Sequence, residues 1–243
     1  MKVQKDVFYT KDCALDIYLP DCAEYETVVY FHGGGMENGD KGGVHEQLGE
    51  DFAKAGYAFV SANYRLYPSA KFPDYLCDAA QAVAYAKKHV GGKKLYVSGS
   101  SAGGWLATML CVNGEYLQSV GLKNADIDGW IIDSSQMTSH FNVQKKETGR
   151  DARLQRIDEY APLYFVDENT AFSKMLIMFY ENDMPCRYEQ NLLFYKSVLY
   201  FNKDADICYR VLSGGHCSGS SKRDETGEFP YVKAAIDWLN GGR

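Results

Sequence analysis

The sequence predicts an α/β fold: a mostly parallel central sheet covered by helices on both faces, with an antiparallel N-terminal edge. Three observations predict it. Short apolar runs alternate with segments of helical period along the chain. One run, Thr27–Phe31, is apolar on both faces, as strands buried between two helical layers are. The helical segments stop at Gly or Asn-Gly, as helix C-termini do.

The elements follow in order. Val7–Tyr9 and Leu15–Leu19, the latter ending at Pro20, read as the antiparallel edge pair. A helix around Gln47–Lys54 stops at Gly56 and leads into a strand over Tyr57–Asn63. A helix over Asp74–His89 is closed by Gly91-Gly92, the strand Leu95–Ser98 follows, and a helix over Ala102–Val112 ends at Asn113-Gly114. Strands over Gly129–Ile132, Met175–Tyr180 and Ile207–Leu212 come next, with helices over Tyr188–Phe201 and Tyr231–Leu239. Strand–helix–strand units of this kind give parallel neighbours. One region breaks the rhythm: Ser134 to Ser173 has no clear strand, a polar Gln144-Lys145-Lys146-Glu147 centre, and the aromatics Phe141, Tyr160, Tyr164 and Phe165. A long irregular insertion (134–173) reads either as a lid or binding loop, or as an excursion packed on the sheet edge.

Bulk properties narrow the function classes. A chain of 243 residues with 46% hydrophobic content can bury one core, so a single domain over 1–243 is expected. The net charge of -6 argues against a nucleic-acid partner, which needs a basic face to neutralise phosphates. The segment Met1–Asp6 has no apolar leader core, and no run approaches the ~18 apolar residues of a membrane span, so a soluble, cytoplasmic protein without a membrane partner is expected. Seven cysteines at irregular spacings read as reduced thiols. The absence of CxxC and HExxH leaves a structural zinc or zincin site without sequence support.

Three motifs carry chemistry. The first is Gly99-Ser100-Ser101-Ala102-Gly103, joining a predicted strand directly to a predicted helix. Glycines two residues either side of Ser101 relieve a tight, strained turn, which lifts the hydroxyl above the sheet and leaves the Ala102 N–H at a helix N-terminus. Alone, such a turn also serves to bind a phosphate or nothing. The second is His32-Gly33-Gly34-Gly35 after the Thr27–Phe31 strand. Consecutive glycines let backbone N–H groups face a developing oxyanion, and the loop has neither a P-loop ending nor dinucleotide spacing. His32 reads as a hydrogen-bonding brace for this loop. The third is Gly214-Gly215-His216, where an imidazole hangs from a strand-terminal glycine loop. His45 and His89 fall on helices and His140 in the insertion. The acid orienting His216 should come from the loop after Met175–Tyr180: Asp183 is preferred because Met184-Pro185 turns into the next helix, and Glu181 is its rival. Asp133 suits a pocket-lining or loop-bracing role.

With these motifs in order, the chain resembles the α/β-hydrolase superfamily and, within it, the esterases related to hormone-sensitive lipase, which carry an HGGG loop upstream of a GxSxG elbow. The stretch Ser61–Pro68 followed by Phe72-Pro73-Asp74 is similar to one that this branch places after its fourth strand, and the resemblance covers Leu15 to Leu239. It implies an α/β-hydrolase fold, Ser101 as nucleophile, Asp183 and His216 as its partners, and Gly34, Gly35 and Ala102 as oxyanion donors. Two departures stand out: the chain is short, without a long N-terminal cap, and Asn182-Asp183-Met184 replaces the branch's usual phrasing around the acid. The short build is similar to acetyl and feruloyl esterases acting on plant polysaccharides, which implies a small-molecule or oligosaccharide ester as substrate. It is also similar to kynurenine-formamidase-like amide hydrolases, whose loop more often has Trp where Met36 stands. A binding module that keeps the fold without catalysis is the reading from another class. Two-step acyl transfer by these residues requires neither a metal nor an organic cofactor.

Overall fold

A computed structural model describes residues 1–242. The strands are β1 (Lys2–Phe8), β2 (Ala14–Leu19), β3 (Glu26–Phe31), β4 (Tyr57–Ala62), β5 (Leu95–Ser100), β6 (Gly129–Asp133), β7 (Met175–Asn182) and β8 (Ile207–Gly215). The helices are α1 (Val44–Lys54), α2 (Asp74–Tyr85), α3 (Ala102–Val112), α4 (Glu115–Ser119), α5 (Phe141–Thr148), α6 (Arg187–Phe201), α7 (Ser218–Ser221) and α8 (Pro230–Leu239). All eight strands form one sheet in the order β1-β2-β4-β3-β5-β6-β7-β8. β2 runs antiparallel to both β1 and β4, and β3 through β8 run parallel, as the sequence predicts for a sheet with an antiparallel N-terminal edge.

Strand alternation divides the interior into two cores. Val29, Phe31 and Val97 point into one, with Tyr75 and Leu76 of α2, Trp105 of α3 and Phe194 of α6. Val28, Tyr30 and Tyr96 point into the other, with Leu48 and Phe52 of α1 and Trp238 of α8. This is the two-period of a strand buried on both sides. Boundaries differ where the apolar signal is weak. β1 starts at Lys2 because an edge strand needs no buried face, and its residues are mostly exposed. The helix expected to reach His89 ends its α-helical course at Tyr85 and continues as a π-helical turn, Ala86–Val90. The 134–173 segment contains α5 and a 3-10 turn at Pro162–Phe165.

The parallel strands deliver their C-terminal ends to one edge of the sheet, where doubly wound folds place their ligands. The His32–Gly35 loop leaves β3, Ser101 follows β5, Asp133 ends β6, Asp183 follows β7, and His216 follows β8. β5 lies between β3 and β6, so Ser101 emerges with the glycine loop on one side and Asp133 on the other.

On the opposite face, α1 sits close to the sheet because Gly49 has no side chain. A Cβ there would lie 2.5 Å from the ring of buried Tyr18. Gly49→Ala should therefore lower Tm by about 2–6 °C, although alanine is the better helix former, because overpacking outweighs propensity. Gly114→Ala, whose nearest neighbour is a flexible Gln118 end at 3.5 Å, should leave Tm within about a degree. Thermal scans of both variants check this, and an unchanged Tm for Gly49→Ala would refute the packing argument.

Candidate active site

Ser101 occupies the first bend after β5 with φ 55 and ψ -114, a left-handed conformation that a side chain adopts only under strain. Surrounding contacts hold it. Its N–H donates to the Asp133 carbonyl at 2.8 Å, and its carbonyl accepts from the Trp105 N–H at 2.9 Å. Gly103 lets α3 press onto the end of β3, since a Cβ there would run into the carbonyl oxygens of Phe31 and His32. The elbow and the glycine loop are thereby in direct contact, and a Cβ at Gly33 would lie 3.2 Å from that of Ser101.

In that loop, Gly34 and Gly35 have φ values of +108 and +65. The Gly34 carbonyl accepts from the N–H groups of Glu37 and Asn38 at 3.1 and 3.0 Å. The Gly35 carbonyl accepts from Asn142 Nδ2 at 2.6 Å. With both carbonyls turned into the protein, the amides of Gly34 and Gly35, like that of Ala102 at the first turn of α3, donate to no acceptor among the described residues. Three free donors near one hydroxyl form the electrostatic pattern that an oxyanion requires. His32 stands behind the loop, 1% exposed, stacked on Tyr64 at 4.5 Å between ring centroids. Its Nδ1–H donates to the Gly33 carbonyl at 2.7 Å, and the Tyr64 hydroxyl donates to the His32 carbonyl at 2.8 Å.

His216 faces Ser101 from the loop after β8. The Ser101 hydroxyl donates to His216 Nε2 at 2.8 Å, and His216 Nδ1–H donates to Asp183 Oδ1 at 2.5 Å. The imidazole is a quarter exposed, whereas the Asp183 side chain is 1% exposed. The Met184 N–H donates to Asp183 Oδ1 and the Ser134 hydroxyl to Oδ2, each at 2.7 Å. Burial raises the Asp183 pKa, but the bonds from His216 and Ser134 outweigh it and hold the carboxyl below the ordinary aspartate value. Glu181, the rival for this position, is exposed. The chain thus brings Ser101, His216 and Asp183 into one hydrogen-bonded line beside the amides of Gly34, Gly35 and Ala102.

Asp133 braces the site from below. Its carboxyl is fully buried and accepts the Ser100 hydroxyl at 2.5 Å and the Ser220 hydroxyl at 2.7 Å. One residue therefore ties the elbow to α7, directly after His216. Burial pushes its pKa up. Sequence reasoning placed Asp133 as a brace but missed Ser134 and Asn142, which touch the acid and the glycine loop from distant positions in the chain and carry no local motif. α5 is bonded to that loop by more than Asn142: Lys146 pairs with Glu37 at 2.6 Å, and Glu147 accepts the Tyr67 hydroxyl and the Phe72 N–H. Of the insertion aromatics, Tyr160 and Phe165 pack against the core, Phe141 stacks on His140, and Tyr164 is exposed. A cleft of about 330 Å³ lies between the acid loop and the insertion, lined by Gln136, Phe141, Arg153, Met184, Arg187 and Gln190 among others. Larger recesses of about 570 and 600 Å³ share no residue with the Ser101 site. Among the described residues, no cluster of His, Cys, Asp or Glu is placed to hold a metal ion, and no helix is long and apolar enough to cross a membrane.

The BD-FAE family model matches residues 15–198. Lipase 2 of Moraxella sp. (strain TA144) is 35% identical over 88 residues, covering 34% of this chain and 20% of that protein. Esterase LipI of Mycobacterium tuberculosis is 35% identical over 96 residues, covering 37% and 30%. The matched stretches thus span under a third of these relatives' lengths. Among solved structures, esterase 2 of Thermogutta terrifontis, phosphoramylated by tabun, superposes with a TM-score of 0.78 at 20% identity, covering 98% of this chain and 93% of that one. This likeness is one of fold.

Two buried histidines make stability depend on pH. Burial holds His32 at about 4 and His140 at about 3, against 6.5 when unfolded. Between those values the unfolded chain binds more protons, so stability present above pH 6.5 is lost as pH falls through 4, about 3 kcal/mol for His32 alone. The urea midpoint should fall from pH 7 to pH 4.5, and fall less steeply in His32→Gln. Equal slopes in the two proteins would exclude His32 as a source of the acid sensitivity.

Proposed function

Because this chain belongs to the BD-FAE family, we propose that it is a serine carboxylesterase acting on short-acyl or carbohydrate-linked esters, of acetyl or feruloyl type, through an acyl-enzyme. The hydrogen-bonded line Ser101–His216–Asp183 carries the reading, with distances of 2.8 and 2.5 Å. His216 Nε2 takes the Ser101 proton as Oγ attacks the ester carbonyl. The oxyanion forms against the amides of Gly34, Gly35 and Ala102. Asp183 keeps Nδ1 protonated and balances the imidazolium. Collapse breaks the ester C–O bond, and His216 returns the proton to the leaving alcohol. Water repeats the sequence on the acyl-enzyme, His216 taking its proton and then giving it to Ser101 as the carboxylate leaves.

Ser101→Ala should reduce p-nitrophenyl acetate and butyrate hydrolysis to background, a loss of roughly 10³-fold or more, and abolish labelling by a fluorophosphonate probe. Unchanged turnover would remove Ser101 as nucleophile, and a wild-type protein that takes no probe would favour a non-catalytic module. Asp183→Asn should lower kcat by orders of magnitude, roughly 10²–10⁴-fold, because the imidazole loses its tautomer lock. Glu181→Gln should stay within about twofold of wild type, since an exposed side chain away from the imidazole has nothing to orient. The reverse pattern would move the acid by two residues.

Substrate size follows from the walls. The insertion is polar at its centre, Gln144-Lys145-Lys146-Glu147, and the cleft of about 330 Å³ beside the acid loop has neither Ser101 nor His216 in its lining, so we infer no continuous apolar lining that starts at the nucleophile. Each buried methylene contributes about 0.8 kcal/mol only where such a lining exists. Across a p-nitrophenyl series, kcat/KM should peak between acetate and butyrate and fall beyond about six acyl carbons. A maximum at decanoate would contradict the short-acyl reading.

A further inference from the structure

The first turn of α6 faces the site but takes no part in the proton path described above. Its leading residue, Arg187, is 4% exposed. Arg65, Arg150, Arg153, Arg210 and Arg223 each bind a carboxylate, whereas Arg187 enters no ion pair among the described residues. Its Nη1 donates to the Ser134 carbonyl at 2.7 Å, and its Nε has no partner. A buried guanidinium without a bound carboxylate is costly unless a nearby anion compensates it. Asp183 is the strongest charge acting on it.

Ser134 connects the two. It has a φ of 49, unusual for a residue with a side chain, and is held there by its N–H to the Met178 carbonyl at 2.8 Å and by Arg187 on its own carbonyl. In that conformation its hydroxyl reaches Asp183 Oδ2 at 2.7 Å. Neighbouring α6 side chains extend the clamp: Asn191 Nδ2 donates to the Ser135 carbonyl at 2.8 Å, and Gln190 Oε1 accepts the N–H groups of Met137 and Thr138 at 3.0 and 3.2 Å. The other titratable groups around the pair are buried and pushed toward their neutral forms: Asp133 on β6 and the Cys217 thiol by upward shifts, and His140 at the head of α5 by a downward one to about 3. Of these groups, Asp183 is the one hydrogen-bonded to His216.

We propose that Arg187 is a positioning residue of this site, holding Ser134 so that its hydroxyl fixes Asp183, and balancing the Asp183 charge while His216 is neutral. The inference rests on the ester-hydrolase reading of Ser101, His216 and Asp183. Without the cation, the imidazole beside Asp183 binds its proton more tightly, so the base is lost at higher pH.

Arg187→Met, Arg187→Lys and Ser134→Ala should be compared with wild type by two measurements. On p-nitrophenyl butyrate, Arg187→Met should lose roughly tenfold or more in kcat at unchanged KM, and the acid limb of its kcat/KM profile should move up by about half a pH unit or more. Arg187→Lys should restore most of that shift. NMR titration of the His216 ring, repeated on a Ser101→Ala background, should show the same displacement without turnover, which separates failure of this inference from failure of the esterase reading. A merely structural Arg187 would lower Tm and the active fraction while leaving both the limb and the titration unmoved, and that result overturns the inference. Should Arg187→Met fail to fold, Ser134→Ala decides. An upward shift of the limb and of the His216 titration supports the inference, and wild-type values overturn it.

Discussion

The site depends on the bond from the Ser101 N–H to the Asp133 carbonyl, 2.8 Å across the ends of β5 and β6. It extends the parallel ladder one residue past β5, just as the chain bends out of the strand conformation. Without it, nothing on that side would hold a serine at φ 55 against a penalty of order 1–3 kcal/mol. The Asp133 carboxyl adds two further ties, to the hydroxyls of Ser100 and Ser220. Ser100, the neighbour of Ser101, and the helix after His216 are therefore fixed to one side chain. Removing that side chain would cost those two bonds, each about 0.5–1.5 kcal/mol net, leaving the Ser100 hydroxyl to Ser220 and the Ser220 hydroxyl to the Cys217 carbonyl.

A second constraint is electrostatic. The interior around the elbow contains Tyr30, Tyr180, Tyr231, His32, His140, Asp133 and Cys217, all of which burial drives toward neutrality. Asp183 departs from this because donors crowd it: an imidazole N–H, a hydroxyl and a backbone N–H. A carboxylate with three donors can remain charged at 1% exposure, and a charged carboxylate is what makes the adjacent imidazole a useful base. The aromatic and hydroxyl groups behind the elbow therefore contribute by staying uncharged, and Asp183 is the carboxylate bonded to His216.

Much of this was legible in the sequence, because the elbow, the glycine loop and the terminal histidine are local devices. Each needs a glycine or a small residue at a fixed offset from a strand end, and such offsets survive as motifs. The choice between Asp183 and Glu181 was not legible to the same degree. β7 continues to Asn182 with an irregularity in its pairing after Tyr180, so simple strand alternation does not say which acidic side chain turns toward β8. Ser134, Asn142 and Arg187 were invisible for another reason. Each acts through a backbone carbonyl or carboxylate about 50 or more residues away, at separations of 49, 107 and 53, and one sequence carries no record of such pairings. β1 was legible only at its Val7 end, and the short helices α4 and α7 were missed, because these segments bury too little to leave an apolar pattern.

The insertion is joined mechanically to the chemistry. Asn142 binds the Gly35 carbonyl and Lys146 pairs with Glu37, so α5 is bonded to the glycine loop beside Ser101, and Glu147 ties it to Tyr67 and Phe72. At its start, the insertion is held by Gln190 and Asn191 of α6, beside the acid. Each of these bonds contributes only about 0.5–1.5 kcal/mol net, and the exposed Lys146–Glu37 pair less. Their placement matters more than their sum. A motion that lifted α5 would pull on the Gly35 carbonyl and so on the glycine loop that packs against Ser101. Access that leaves the glycine loop in place comes past His216, whose imidazole is a quarter exposed.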